Sequence, residues 1–164
     1  MTDPLPYRPH NHDACVQQAM DDAHRICQQA GARMTRLREQ VLSLVWASHR
    51  PLGAYDILDS LNADGRKAAP PTVYRTLDFL QRMGLVHRIA SLNAFVGCTQ
   101  PDHHHAGCFL ICQNCHNVLE LPSPAIREVI AEEAGQQGFH TRETVVEVTG
   151  LCPGCNTGES SPDE

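Results

Sequence analysis

No run of about 18 apolar residues occurs in this chain, so no segment reads as a membrane-spanning helix. The opening residues, MTDPLPYRPHNHDAC, lack the basic-then-apolar order of a secretory leader, and a cytoplasmic location with no membrane association is expected. Signatures of catalytic zinc are missing too. Neither His-Glu-x-x-His nor the deaminase pairing of His-x-Glu with Pro-Cys-x-x-Cys occurs, and in LCPGC the proline lies inside the cysteine pair. An enzyme with a small-molecule substrate is therefore not expected. Positive charge is also scarce: 13 Lys and Arg stand against 19 Asp and Glu, a net charge of -6. Averaged over the whole chain, that balance disfavours a polyanionic partner.

The average hides a division. Residues 33 to 88 hold nine Lys and Arg against five Asp and Glu, whereas residues 89 to 164 hold two against ten. A basic face on one half is enough for nucleic acid, so a DNA-binding half joined to an acidic half is allowed. The basic half reads as consecutive helices. Val16, Ala19 or Met20, Ala23, and Ile26 or Cys27 recur at helical spacing ahead of Gly31, and Thr35 stands as N-cap to a second helix with Leu37, Val41, Leu44 and Val45 on one face. AYDILDSLNADG gives a short third helix, and PPTVYRTLDFLQRMG a fourth that opens on prolines and stops at Gly84. In the fourth helix Val73, Leu77 and Leu80 form the inward stripe, which leaves Thr72, Tyr74, Arg75 and Asp78 off that stripe near the N-terminal end. A recognition helix meets bases with those positions. Arg36, at the start of the second helix, is a further candidate DNA contact. LVHRIASLNAFVGC then alternates about a polar turn at Ser91 and Asn93, as the wing of a winged helix would. A small helical domain with a solvated arginine face fits the same pattern.

Eight cysteines in a reducing compartment point to metal or redox chemistry rather than to a disulfide framework. Cys112 and Cys115 form one Cys-x-x-C pair, and Cys152 and Cys155 another. Four thiolates can close a tetrahedral structural zinc site. The intervening residues read as strand (NVLELP), helix (SPAIREVIAEEAGQQG) and strand (FHTRETVVEVTG), so zinc would staple both ends of that unit. A thioredoxin-like dithiol needs one pair at a helix start, and here both pairs stand at strand ends. The set leaves the run PDHHHAG unused. His87, Cys98, His105 and Glu120 could form a second, mixed tetrahedron; singly, each also reads as an ordinary strand histidine, buried thiol or solvated carboxylate.

GARMTRLREQVL, PPTVYRTLDFLQRMGLVHRI, the histidine run before CQNC, and the final CPGC together resemble the ferric uptake regulator family over residues 14 to 156. AYDILDSL, LVHR and the cysteine closing the wing are most similar to its zinc-uptake branch. The resemblance implies an α+β chain: an N-terminal winged-helix DNA-binding domain and a C-terminal αβ dimerisation domain with structural zinc. The corresponding divisions are an extension at 1–13, the winged helix at 14–89, wing end and hinge at 90–98, the dimerisation and metal-binding domain at 99–156, and an acidic tail at 157–164. It also implies one structural zinc per monomer on the two cysteine pairs and one regulatory zinc on His87, Cys98, His105 and Glu120. The function implied is that of a homodimer that binds double-stranded operator DNA when loaded with zinc and mainly represses zinc-uptake genes. An iron or peroxide sensor of the same family, or a zinc-binding module without DNA, is the alternative. A thiolate at Cys98 softens the sensing site, and a compact tetrahedral set suits zinc. The chain departs from the family pattern where a further site would draw later ligands: Arg127 and Thr144 stand there. That site is expected to be absent, or rebuilt with His103, His104 or Glu128.

Overall fold

The computed structural model describes residues 6–7, 10–65, 67–102 and 107–156. His103, His104 and His105 of the histidine run, and the tail at 157–164, lie outside them. Contacts divide the described residues into two units, one spanning 10–102 and one built from 6–7 and 107–156.

The first unit begins with α1 (His12–Gln29), α2 (Arg36–Trp46), α3 (Ala54–Ala63) and α4 (Pro70–Arg82). The expected caps form. The Thr35 hydroxyl accepts from the Arg38 amide at the start of α2, Pro70 and Pro71 open α4, and Gly84 takes φ +70° just past its end. Val73, Leu77 and Leu80 are fully buried, as are Ala23, Cys27, Val41, Val45, Ile57 and Leu61, so the four apolar stripes share one core. α2, α3 and α4 are short, and this common core rather than intrinsic propensity supplies most of their stability.

A three-stranded antiparallel sheet completes the unit: β1 (Leu52–Gly53), β2 (Val86–Ile89) and β3 (Ala94–Gly97), in the order β1-β3-β2. The expected wing hairpin is β2-β3, with Asn93 in the left-handed region at φ 46° turning the chain. β3 falls within the stretch read as wing end and hinge. β1 is not anticipated by the sequence, since two residues cannot display a period; it exists through its pairing of Leu52 with Phe95 and Gly53 with Ala94.

The second unit holds β4 (Gly107–Cys112), β5 (Val118–Glu120), α5 (Pro124–Gln136) and β6 (Val145–Gly150), with strand order β5-β4-β6. β5, α5 and β6 match the expected strand, helix and strand. The central strand β4 is an addition: its apolar run, Cys108 to Ile111, is bracketed by metal-ligand residues and reads from sequence only as the approach to a metal site. β4 pairs antiparallel with β5 and parallel with β6. Among the described residues, no helix is long and apolar enough to cross a membrane.

Candidate metal centres and nucleic-acid interface

The parallel pairing of β4 with β6 explains how cysteines forty residues apart meet. Parallel strands end side by side, and the register sets Cys112 opposite Gly150, so each strand runs into its own Cys-x-x-C turn at the same end of the sheet. The turns are tight. The His116 amide donates to the Cys112 carbonyl at 2.9 Å with His116 at φ 62°, and the Cys155 amide donates to the Cys152 carbonyl at 2.9 Å. The four sulfurs of Cys112, Cys115, Cys152 and Cys155 all lie within 4.8 Å of one another. Cys115 Sγ and Cys152 Sγ are 3.8 Å apart, far beyond a disulfide bond. Two ligands on a tetrahedral zinc with Zn–S near 2.3 Å would stand roughly 3.8 Å apart. The Cys152 amide also donates to Cys112 Sγ at 3.3 Å.

Electrostatics point to a cation in the same place. Backbone amides at Cys115 and Cys152 lower the Cys112 pKa to about 6, while the hydrogen bond with Cys152 pushes Cys155 up to about 12. Thiols this close cannot all ionise unaided, and a coordinated divalent ion removes the conflict. The residues therefore fit structural zinc. Tyr7, from the segment before α1, belongs to this unit: its hydroxyl donates to the Leu110 carbonyl at 2.9 Å, and it lines a cleft with Leu110, Cys112, Val148 and Cys152. Burial and the neighbouring thiolates raise its pKa to about 12. Sequence reasoning missed Tyr7, because a lone tyrosine in a proline-rich extension carries no periodic signal.

Within the first unit, β2 and β3 bring His87 and Cys98 together. His87 pairs with Val96, and Cys98, two residues on, projects from the same side as Val96, so His87 and Cys98 are diagonal neighbours on one face. Their ligand atoms lie within 4.8 Å of each other. Cys98 is buried and its amide donates to the Leu85 carbonyl at 3.0 Å, which fixes the backbone at the end of the wing. In the second unit Glu120 closes β5 and is only 8% exposed. A carboxylate is rarely buried unless it is paired or holds a cation. His105 lies outside the described residues. Of the positions that depart from the family pattern, Arg127 is exposed on α5 and Thr144 precedes β6. Cys27 and Cys108 are buried, and burial raises both thiol pKa values, as suits inert core cysteines.

The expected DNA residues gather at two helix N-termini. Thr72 and Arg75 of α4 line a cleft with Thr76, Thr35 and Arg38. Tyr74 is 41% exposed on α4, and Arg75 is exposed with its Nε donating to the Pro71 carbonyl at 3.2 Å. Helix N-termini favour anions, and the cleft joins two of them to two arginines. Arg36 is exposed on α2 outside the cleft lining. Arg38, which the sequence places off the inward stripe without a role, holds the cleft instead: its guanidinium stacks on the Phe79 ring at 3.4 Å from the centroid and donates to the Arg33 carbonyl.

Comparison with known proteins follows the same lines. The sequence profile of the Ferric uptake regulator family matches residues 29–149. The zinc uptake regulation protein of Escherichia coli (strain K12) is 38% identical over 143 residues, covering 85% of this chain and 82% of that protein. A ferric uptake regulation protein of Synechococcus elongatus is 30% identical over 132 residues, covering 76% of this chain and 86% of that protein. The solved structure of a zinc uptake regulator complexed with zinc and DNA superposes with a TM-score of 0.81 at 37% identity, covering 85% of this chain and 94% of that one.

Proposed function

The chain belongs to the ferric uptake regulator family, and we propose that it is a zinc-responsive transcription regulator, not an enzyme, that binds operator DNA as a zinc-loaded homodimer and mainly represses zinc-uptake genes. The observation that carries the zinc reading is the His87 and Cys98 pair on one face of the wing. A thiolate beside an imidazole is a softer donor set than histidines and carboxylates alone, and it suits zinc better than ferrous iron. The identity to a zinc uptake regulation protein, 38% against 30% for a ferric one, supports the same choice.

Each monomer holds one structural zinc on Cys112, Cys115, Cys152 and Cys155 and one regulatory zinc on His87, Cys98, His105 and Glu120. Zinc when bound supplies charge and a fixed tetrahedral geometry. The protein residues do the rest. His87 and Cys98 belong to the first unit and Glu120 to the second, so ligands shared this way restrict the segment joining the two. In a two-fold dimer that restriction sets the spacing of two α4 helices to major grooves one helical turn, ~34 Å, apart. Without it, ordering the joint costs free energy on DNA binding, and a coupling of ~1–3 kcal/mol per site is ordinary. Thr72, Tyr74 and Arg75 read the groove, Arg36 contacts the duplex, and the protein works in the cytoplasm.

Zinc content after dialysis at limiting free zinc, measured beside operator binding over a buffered zinc series, tests this. Wild type is expected to hold two tight zincs and to bind the operator only when both are present. Cys98→Ser and His105→Ala should hold one, stay dimeric, and show a flat response to zinc. A His105→Ala protein with two zincs and a full response would assign that ligand to another histidine of the run. If iron rather than zinc restored operator binding, the iron-sensor alternative would replace the zinc reading.

A further inference from the structure

A second group of histidines stands apart from every site described above. His10 and His12 flank the start of α1, and His49 follows the end of α2. Their ligand nitrogens all lie within 4.8 Å of one another. Ring centroids are 4.9 Å apart for His10 and His49 and 4.7 Å for His12 and His49. His10 Nε2 and His49 Nε2 approach to 2.9 Å. Nitrogens sharing a tetrahedral zinc at about 2.0–2.1 Å would stand roughly 3.3 Å apart, so a few tenths of an ångström of opening admits the ion. All three rings are half-buried, which leaves solvent a route to the cluster.

The tautomer of His12 is the second observation. Its Nε2 lies 2.7 Å from the carbonyl of Trp46, the last residue of α2. A carbonyl only accepts, so Nε2 carries the proton and Nδ1 the lone pair. Nδ1 is sealed from solvent and has no hydrogen-bond partner. Metal-bound histidines characteristically donate their other ring N–H to a carbonyl in this way, which fixes the ring and raises its basicity. A buried acceptor without a donor is costly, and an ion supplies the missing partner.

We propose that His10, His12 and His49 form a third metal site, a three-imidazole centre that takes zinc with one coordination position left to water. Three neutral ligands and no thiolate bind zinc more weakly than either thiolate-containing site. The site therefore fills after them, at higher free zinc, and pins the segment preceding α1 to the end of α2. None of its ligands belongs to the regulatory set, so it stands whether or not that reading holds.

Equilibrium dialysis of the full chain against buffered free zinc, from limiting to saturating, tests the site with His10→Ala, His49→Gln and Cys98→Ser beside wild type. Wild type is expected to take up one further equivalent at high free zinc. Both histidine variants should lack that equivalent and keep the tight ones, and Cys98→Ser should lose a tight one and keep the weak one. In wild type the ring signals of His10, His12 and His49 should move together in nitrogen-edited NMR as the weak equivalent binds. His10 precedes the first helix, so His10→Ala leaves the core intact and decides the matter even where His49→Gln unfolds. An extra equivalent that persists in His10→Ala, or none in wild type at saturating zinc, overturns the proposal. A loss confined to Cys98→Ser, with the weak equivalent kept in both histidine variants, supports the regulatory site and overturns this one.

Discussion

At Gly97 there is no room for a side chain. A Cβ there would lie 2.1 Å from Cε2 of Trp46, an indole only 8% exposed in the shared core. Gly97→Ala therefore has to displace either the indole or β3, and overpacking of this kind costs ~1–3 kcal/mol. Because β3 carries Cys98 on its next residue, the variant is expected to lower the melting temperature and weaken the zinc response together. An unchanged melt would show that the indole moves freely. The cysteines act on a larger scale. Structural zinc contributes ~10–16 kcal/mol of apparent binding free energy in small zinc domains, comparable to the ~5–15 kcal/mol total stability of a whole domain. Cys112→Ser or Cys152→Ser should consequently unfold the second unit, seen as lost cooperative melting and a loss of dimer by size. A soluble dimer with the parent's thermal stability would remove the structural assignment.

At the scale of elements, α4 combines burial and recognition in one helix. Val73, Leu77 and Leu80 are inward, and Arg75 is exposed near the N-terminus. Arg75→Ala is expected to lose ~1–3 kcal/mol of discrimination between operator and random duplex. Arg38→Ala, which opens the same cleft from the side of α2, should weaken binding to both duplexes alike, as loss of a phosphate contact does. Gel-shift affinities on the two duplexes separate the cases, and a uniform loss for Arg75→Ala would demote it to a backbone contact. The four helices were legible because caps and 3.6-residue stripes repeat over ten or more residues. β1 was not, because two residues have no period, and β4 was hidden because its apolar run sits between metal-ligand residues. The cysteine set was legible from spacing alone. Its meeting point was not, since that depends on the parallel register of β4 with β6. The His10, His12 and His49 cluster was invisible for the same reason: it joins residues nearly forty positions apart, and only folding brings His49 to the start of α1.

For the whole molecule, the second unit is incomplete by itself. α5 carries Ile126, Val129 and Ile130 at helical spacing yet buries no residue, and Val129 is 59% exposed. β6 stands at one edge of its sheet, with Val145 and Val148 52% and 44% exposed. Phe139 and Leu151, 66% and 54% exposed, add to the apolar surface of this unit. Scattered apolar residues are ordinary on a protein surface, but a helix with an apolar stripe and no buried side chain has little to hold it without a partner. In the proposed homodimer a second copy of the chain supplies that partner, and a stable interface of this kind buries ~1,200–2,000 Å². Val129→Asp combined with Val148→Asp is therefore expected to convert the dimer to a monomer by light scattering at micromolar concentration while leaving the first unit folded. Operator affinity should fall by roughly 10²–10⁴-fold, because the second half-site is then met as an independent event rather than an intramolecular one. Binding to a single half-site should change little, since α4 is untouched. If the double variant stays dimeric, the interface lies elsewhere on the unit. If it becomes monomeric yet binds the full operator as tightly as wild type, the two α4 helices do not act as a pair, and the spacing mechanism for zinc control falls with them.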